Sequence, residues 1–131
     1  MKGLLISALL LCGPAFGKEQ QVVCPERYPT GETRITSAPK GWDGYGNLSG
    51  GLRLSGGGMI IGRPEERGEL RGSDKKTKHG HEIVFAHLQN FEGSLQKWLY
   101  CAYGFGGEVQ LLQRVDDSTA QCTLGFTRGK G

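Results

Sequence analysis

The chain has no long hydrophobic run, no helical periodicity and no strong excess of either charge, and each absence removes a class of protein. Its longest apolar stretch, Leu4 to Leu11, falls well short of the ~20 residues a membrane-spanning helix needs. No segment repeats apolar residues at i, i+3, i+4 and i+7, so a helical bundle is excluded. Sixteen Lys+Arg against 13 Asp+Glu is too even a balance, and too dispersed, for the basic stripe that nucleic acid requires. Proline is scarce, at 5 residues, and 37% of the chain is hydrophobic, which argues against disorder. No repeat and no linker divides the sequence.

Catalytic signatures are missing as well. There is no Cys-x-x-Cys and no Gly-x-Ser-x-Gly, and Gly56-Gly57-Gly58 runs into Met59-Ile60-Ile61 without the Gly-Lys-Ser/Thr of a phosphate loop. Glu65-Glu66 and Asp116-Asp117 are adjacent pairs, which on a strand point to opposite faces and in turns face water. A glycosidase needs two carboxylates converging across a cleft. His79 and His81 would share one strand face, but His87 lies too far along to complete a metal site, and Gly80 puts the first two on a loop. The expectation is a protein with no metal, no cofactor and no enzymatic activity.

What is present begins with residues 1–17. Lys2 supplies a positive start, Leu4 to Leu11 a short apolar core, and Ala15-Phe16-Gly17 an ending with small residues at alternate positions. This is the layout of a secretory leader, with cleavage expected after Gly17. Leu9-Leu10-Leu11 ahead of Cys12 disfavours a lipid-anchored cysteine, so free release into the periplasm or the medium is expected. The mature chain is then residues 18–131, one small domain with no stable membrane span. Losing Lys2 leaves 15 Lys+Arg against 13 Asp+Glu, a net charge of +2.

Glycine is the compositional outlier: 23 of 131 residues, against a usual share of about 7%. Short strands joined by tight turns use glycine where φ is positive, so the composition points to β structure. Residues 31–37 form a candidate strand. Leu52–Leu54 and Met59–Ile61 read as two short strands flanking the glycines, and 82–88 as another. Lys75-Lys76-Thr77-Lys78-His79 reads as a solvated loop. At 97–103 the alternation is clear: Trp98, Tyr100 and Ala102 on one face, Lys97, Leu99, Cys101 and Tyr103 on the other. With 108–115 and 120–127 it makes a C-terminal three-stranded meander. Residues 65–70 and 88–95 have room for a helical turn each. The fold class is mainly β, an antiparallel sheet in a single domain, with a β-rich α+β arrangement as the alternative.

With Cys12 lost in the leader, Cys24, Cys101 and Cys122 remain, so one bridge and one odd thiol are expected. In a meander, strands one and three lie ~9.5 Å apart, beyond the ~7 Å a disulfide tolerates. Cys101–Cys122 is therefore disfavoured and Cys24 is one partner: Cys24–Cys122 first, Cys24–Cys101 as the alternative.

Two stretches offer a binding surface. Trp42 and Tyr45 sit among glycines in a loop, where aromatics either cover the core or anchor a partner. Arg63, Glu65, Glu66 and Arg67 open a charged loop. The functional expectation is a non-enzymatic interaction module of an exported protein, with an inhibitor or immunity protein against a cell-wall hydrolase or toxin as its sharper form. A hydrolase with an unrecognised site is the alternative.

Cys24-Pro25, Gly41-Trp42, Ile61-Gly62-Arg63-Pro64 leading to Glu69-Leu70, and Trp98-x-x-Cys101-x-Tyr103 ending at Cys122 follow one another in an order that resembles an uncharacterised family of small exported bacterial proteins, named after a locus tag of the typhoid Salmonella. The likeness spans most of residues 18–131. Members carry Gly-Pro-Pro where this chain has Gly62-Arg63-Pro64, and Leu-Pro where it has Val115-Asp116. The resemblance implies a periplasmic protein and brings no activity or catalytic residue with it.

Overall fold

The computed structural model describes residues 6–14, 19–90 and 95–128. It is built almost wholly of strands: β1 (Ile6–Gly13), β2 (Gln20–Cys24), β3 (Gly31–Ile35), β4 (Gly44–Leu48), β5 (Leu54–Ile61), β6 (Gly68–Glu69), β7 (Ser73–Thr77), β8 (Gly80–Phe85), β9 (Lys97–Tyr103), β10 (Val109–Arg114) and β11 (Gln121–Arg128). Pro64–Glu66 and Leu88–Asn90 form single 3-10 turns. A five-stranded sheet runs β2-β1-β11-β8-β7 and a four-stranded sheet β10-β9-β5-β6, while among the described residues β3 and β4 pair only with each other. Every pairing is antiparallel.

The two larger sheets share one core because their strands alternate. Ala8, Leu10 and Cys12 of β1, Phe85 of β8, and Cys122, Leu124 and Phe126 of β11 meet Leu54, Met59, Leu99, Cys101 and Tyr103 from the facing sheet. The alternation read at 97–103 is the observed one: Leu99, Cys101 and Tyr103 enter this core, whereas Trp98, Tyr100 and Ala102 pack with Ile60 in a second, smaller cluster. Lys97 shares the inward face and is buried at the sheet's end, where its ammonium donates to the Asp117 carbonyl at 2.8 Å.

The expected break between 52–54 and 59–61 is absent, and one strand, β5, runs through the glycines. Its bare backbone is needed there. A Cβ on Gly57 would lie 2.7 Å from the Tyr100 carbonyl oxygen, and one on Gly58 would lie 2.9 Å from the Tyr100 ring. The Lys75–His79 stretch is also corrected: it is mostly strand β7, fully exposed at the sheet edge, with Lys78-His79 as the turn into β8. Charge hid the strand from a reading based on apolar alternation, and charge is what blunts such an edge against unwanted pairing. The three C-terminal strands stand where expected. β9 and β10 form a hairpin, and β11 crosses to the other sheet to lie between β1 and β8.

The cysteine pairing differs from the leading expectation. Cys24 bonds Cys101 across the two layers, with α-carbons 5.8 Å apart, and Cys122 bonds Cys12 within one sheet, at 4.1 Å. Cys24–Cys122 does not form because β1 lies between β2 and β11, which sets those two strands about 9.5 Å apart. The odd thiol is accounted for by Cys12, which stands directly opposite Cys122 in the register. The expected cleavage junction at 15–17 lies outside the described residues.

Candidate binding surface

The β3–β4 hairpin joins neither larger sheet. Its base is fastened: Tyr28 N–H donates to the Leu52 carbonyl, Gly51 N–H to Leu48, and the Arg27 guanidinium to the Gly50 carbonyl at 3.1 Å. Beyond that base the strands pair with each other from Gly31↔Leu48 to Ile35↔Gly44. Tyr45 stands opposite Arg34, and Trp42 sits in the connecting loop, where its N–H donates to the Pro39 carbonyl. Trp42 is 75% exposed, Tyr45 62% and Ile35 50%. A free-standing hairpin with one aromatic at its tip and another on its face presents large, stiff apolar groups to solvent. Such groups bind a partner at small entropic cost.

The charged segment forms a second patch. Pro64 opens the 3-10 turn and Arg67, at φ 52°, closes it in the left-handed region. Within the turn the Arg63 guanidinium donates to Glu66 at 2.9 Å, with both side chains more than half exposed. That hydrogen bond and its attendant charge attraction lower the Glu66 carboxyl pKa and raise that of Arg63. Glu65 is exposed. Pro64 and Arg67 border a cleft of about 510 Å³ on the outer face of the four-stranded sheet, with Ile60, Tyr100, Leu112 and Glu69. The Tyr100 hydroxyl donates to Glu69 there, and burial together with that carboxylate raises the phenol's pKa above its ordinary value of 10.0. Among the described residues no hydrogen bond or salt bridge joins this patch to the hairpin, so the six candidate side chains make two surfaces.

A second cleft is not legible in the sequence. A cleft of about 930 Å³ opens between the layers at the β7–β8 end, where Gly56 and Gly57 leave one wall bare and Lys76, His81, Ile83 and Phe126 make the other. Lys76, His81 and Phe126 lie in one cross-strand row, and His81 stacks on Phe126 with ring centres 4.8 Å apart. His79 occupies the turn at its rim. Its wall depends on Lys76 lying on a strand, which gives that side chain a face beside His81.

Trp98 is partly buried on the outer cluster, with its indole N–H donating to Gln96 at 3.0 Å. Among the described residues no helix is long and apolar enough to cross a membrane, and no three His, Cys, Asp or Glu side chains converge on a metal position. No protein family, curated protein or solved structure matches the chain.

Proposed function

We propose that this is an exported bacterial envelope protein that binds another polypeptide and catalyses nothing. The observation that carries the reading is the self-paired β3–β4 hairpin, which keeps Trp42 and Tyr45 in solvent where neither supports the core. The compartment is supported by Cys24–Cys101, a disulfide that lies wholly within residues 18–131, since such bonds persist outside the reducing cytosol. Residues 1–17 act as the leader and are removed after Gly17; β1 then belongs to the precursor and departs with it. In its sharper form the protein is an inhibitor or immunity protein that inserts the hairpin into the cleft of a cell-wall hydrolase or toxin, since a loop on a rigid sheet can plug a cleft.

The test is affinity capture from envelope extract with the exported protein and with its Trp42→Ala/Tyr45→Ala variant. A stoichiometric partner held by the first and lost by the second is the expected result. Turnover of peptidoglycan or an ester substrate, abolished by substituting one carboxylate, would replace this reading with that of a hydrolase.

A further inference from the structure

β1 is an interior strand of the five-stranded sheet, between β2 and β11. It pairs with β11 from Ile6↔Arg128 to Gly13↔Gln121, and with β2 from Ala8↔Cys24 to Cys12↔Gln20. Its inward side chains, Ala8, Leu10 and Cys12, are at most 1% exposed, while Leu9 on the other face is 38% exposed. Leu10 lies between Leu124 and Val22 in one cross-strand row, and Cys12 bonds Cys122. The segment that carries the leader's apolar core is therefore also the strand that completes the sheet.

Removing it leaves a defined vacancy. The edges of β2 and β11 would face each other two strand spacings apart, about 9.5 Å, with their N–H and C=O groups unpaired. Beneath them Leu124, Phe126 and Val22 would lose their cover, and Cys122 would lose its partner. Cys24–Cys101 is untouched, since neither cysteine is in the leader, and it still ties β2 to the opposite sheet. A slot flanked by two unpaired strand edges over an apolar floor is an acceptor for a further strand.

We propose that the processed protein is a strand acceptor, in which an extended segment of another polypeptide enters between β2 and β11, antiparallel to both, in the register held by Ala8, Leu10 and Cys12. The proposal rests on the reading that residues 1–17 are removed. The entering segment carries a small residue, a large aliphatic residue and a cysteine at alternate positions. A slip of one residue would turn all three outward, so register is enforced by the floor. The cysteine arrives in a mixed disulfide. The Cys122 thiolate attacks its sulfur, the new S–S bond forms as the old one breaks, and the departing thiolate leaves with the bonding pair and takes a proton from solvent.

The probe is the peptide Ser-Ala-Leu-Leu-Leu-Cys-Gly, residues 7–13, with its cysteine as the mixed disulfide of thionitrobenzoate. It is added to protein purified from the envelope, whose N-terminal mass is read first. Release of thionitrobenzoate and a peptide–Cys122 adduct are expected, with the rate falling about 10- to 100-fold when the peptide carries Leu10→Ser. A thiol-free readout accompanies it: the peptide carrying Cys12→Ala should protect the β2 and β11 amides from hydrogen exchange, or fold the protein if residues 18–131 are unfolded alone. Equal rates for the two peptides, no added protection, β2 and β11 amides already protected because β2 has closed onto β11, or a Cys122–Cys122 dimer that excludes the peptide would each overturn the proposal. A purified protein that begins at Met1 refutes the leader reading instead. The same assay on a Cys12→Ala chain, cut between Gly17 and Lys18 at an introduced protease site and freed of residues 1–17, then decides the acceptor question separately.

Discussion

The two-layer core and the β3–β4 hairpin are both made of short, glycine-bearing antiparallel strands, yet they treat their aromatics in opposite ways. In the core Tyr103 is fully buried, its ring tilted against Tyr28 and its hydroxyl donating to the Pro25 carbonyl at 2.6 Å. On the hairpin Trp42 is 75% exposed, with no packed face to join. Glycine differs in the same way: Gly58 of β5 makes room for the Tyr100 ring on the sheet's outer face, whereas nothing lies within 4 Å of a Cβ placed on Gly41 beside Trp42. Two strands are marginal by themselves, so this hairpin depends on its base for its position and contributes little to the core. In the function proposed above, these exposed side chains are the surface offered to a partner.

The largest effect on this contrast belongs to Met59→Ala. Met59 is fully buried between the layers, and its truncation should cost about 2–5 kcal/mol, read as a fall in the urea midpoint. A loss below 1 kcal/mol would mean that the layers are not packed as described. Lys97→Ala comes next, at about 1–3 kcal/mol, because it strands the Asp117 carbonyl; Lys97→Met restores the stem but not the donor and should recover only part of the loss. If the two variants match wild type, the buried ammonium does not hold the β10–β11 turn.

Tyr100→Phe is smaller, about 0.5–1.5 kcal/mol near neutral pH, through the lost hydrogen bond to Glu69. It also changes the alkaline limb. The folded phenol holds its proton more tightly than the unfolded one, so the stability this brings is complete below about pH 10 and declines as pH rises above it. The variant should show a shallower decline in denaturation midpoints measured from pH 8 to 11.5, and an unchanged slope would contradict the assignment. Smallest for stability is Trp42→Ala/Tyr45→Ala, within about 0.5 kcal/mol of wild type by the same titration, against a loss of partner capture. A destabilisation comparable to that of Met59→Ala would make the hairpin a lid on the core and erase the comparison.

The parts of this fold that could be read from the chain are those in which one face is apolar and the other is not. Residues 97–103 announced both their strand and its two faces, including the inward position of Lys97. β7 could not be found that way, because an exposed edge strand with both faces in water has no alternation to read. β5 reads as two strands because glycine carries little strand preference, and the approach of Tyr100 explains its presence there. Residues 6–13 carried two meanings at once: the run Ala8 to Leu11 suits a leader core and a central strand equally, and nothing local separates them. That ambiguity moved the disulfides, since treating Cys12 as lost left Cys122 in want of a partner. Of the candidate site, Trp42 and Tyr45 could be identified as surface candidates by their glycine neighbours. The β7–β8 cleft could not, because it exists only between sheets.

Peptide mapping of the unreduced exported protein by mass spectrometry tests the central claim, a sandwich clamped between β2 and β9 by Cys24–Cys101. The account predicts a chain beginning at Lys18, a linked pair of peptides containing Cys24 and Cys101, and Cys122 either free or joined to a thiol from outside residues 18–131. A Cys24–Cys122 or Cys101–Cys122 linkage would contradict it.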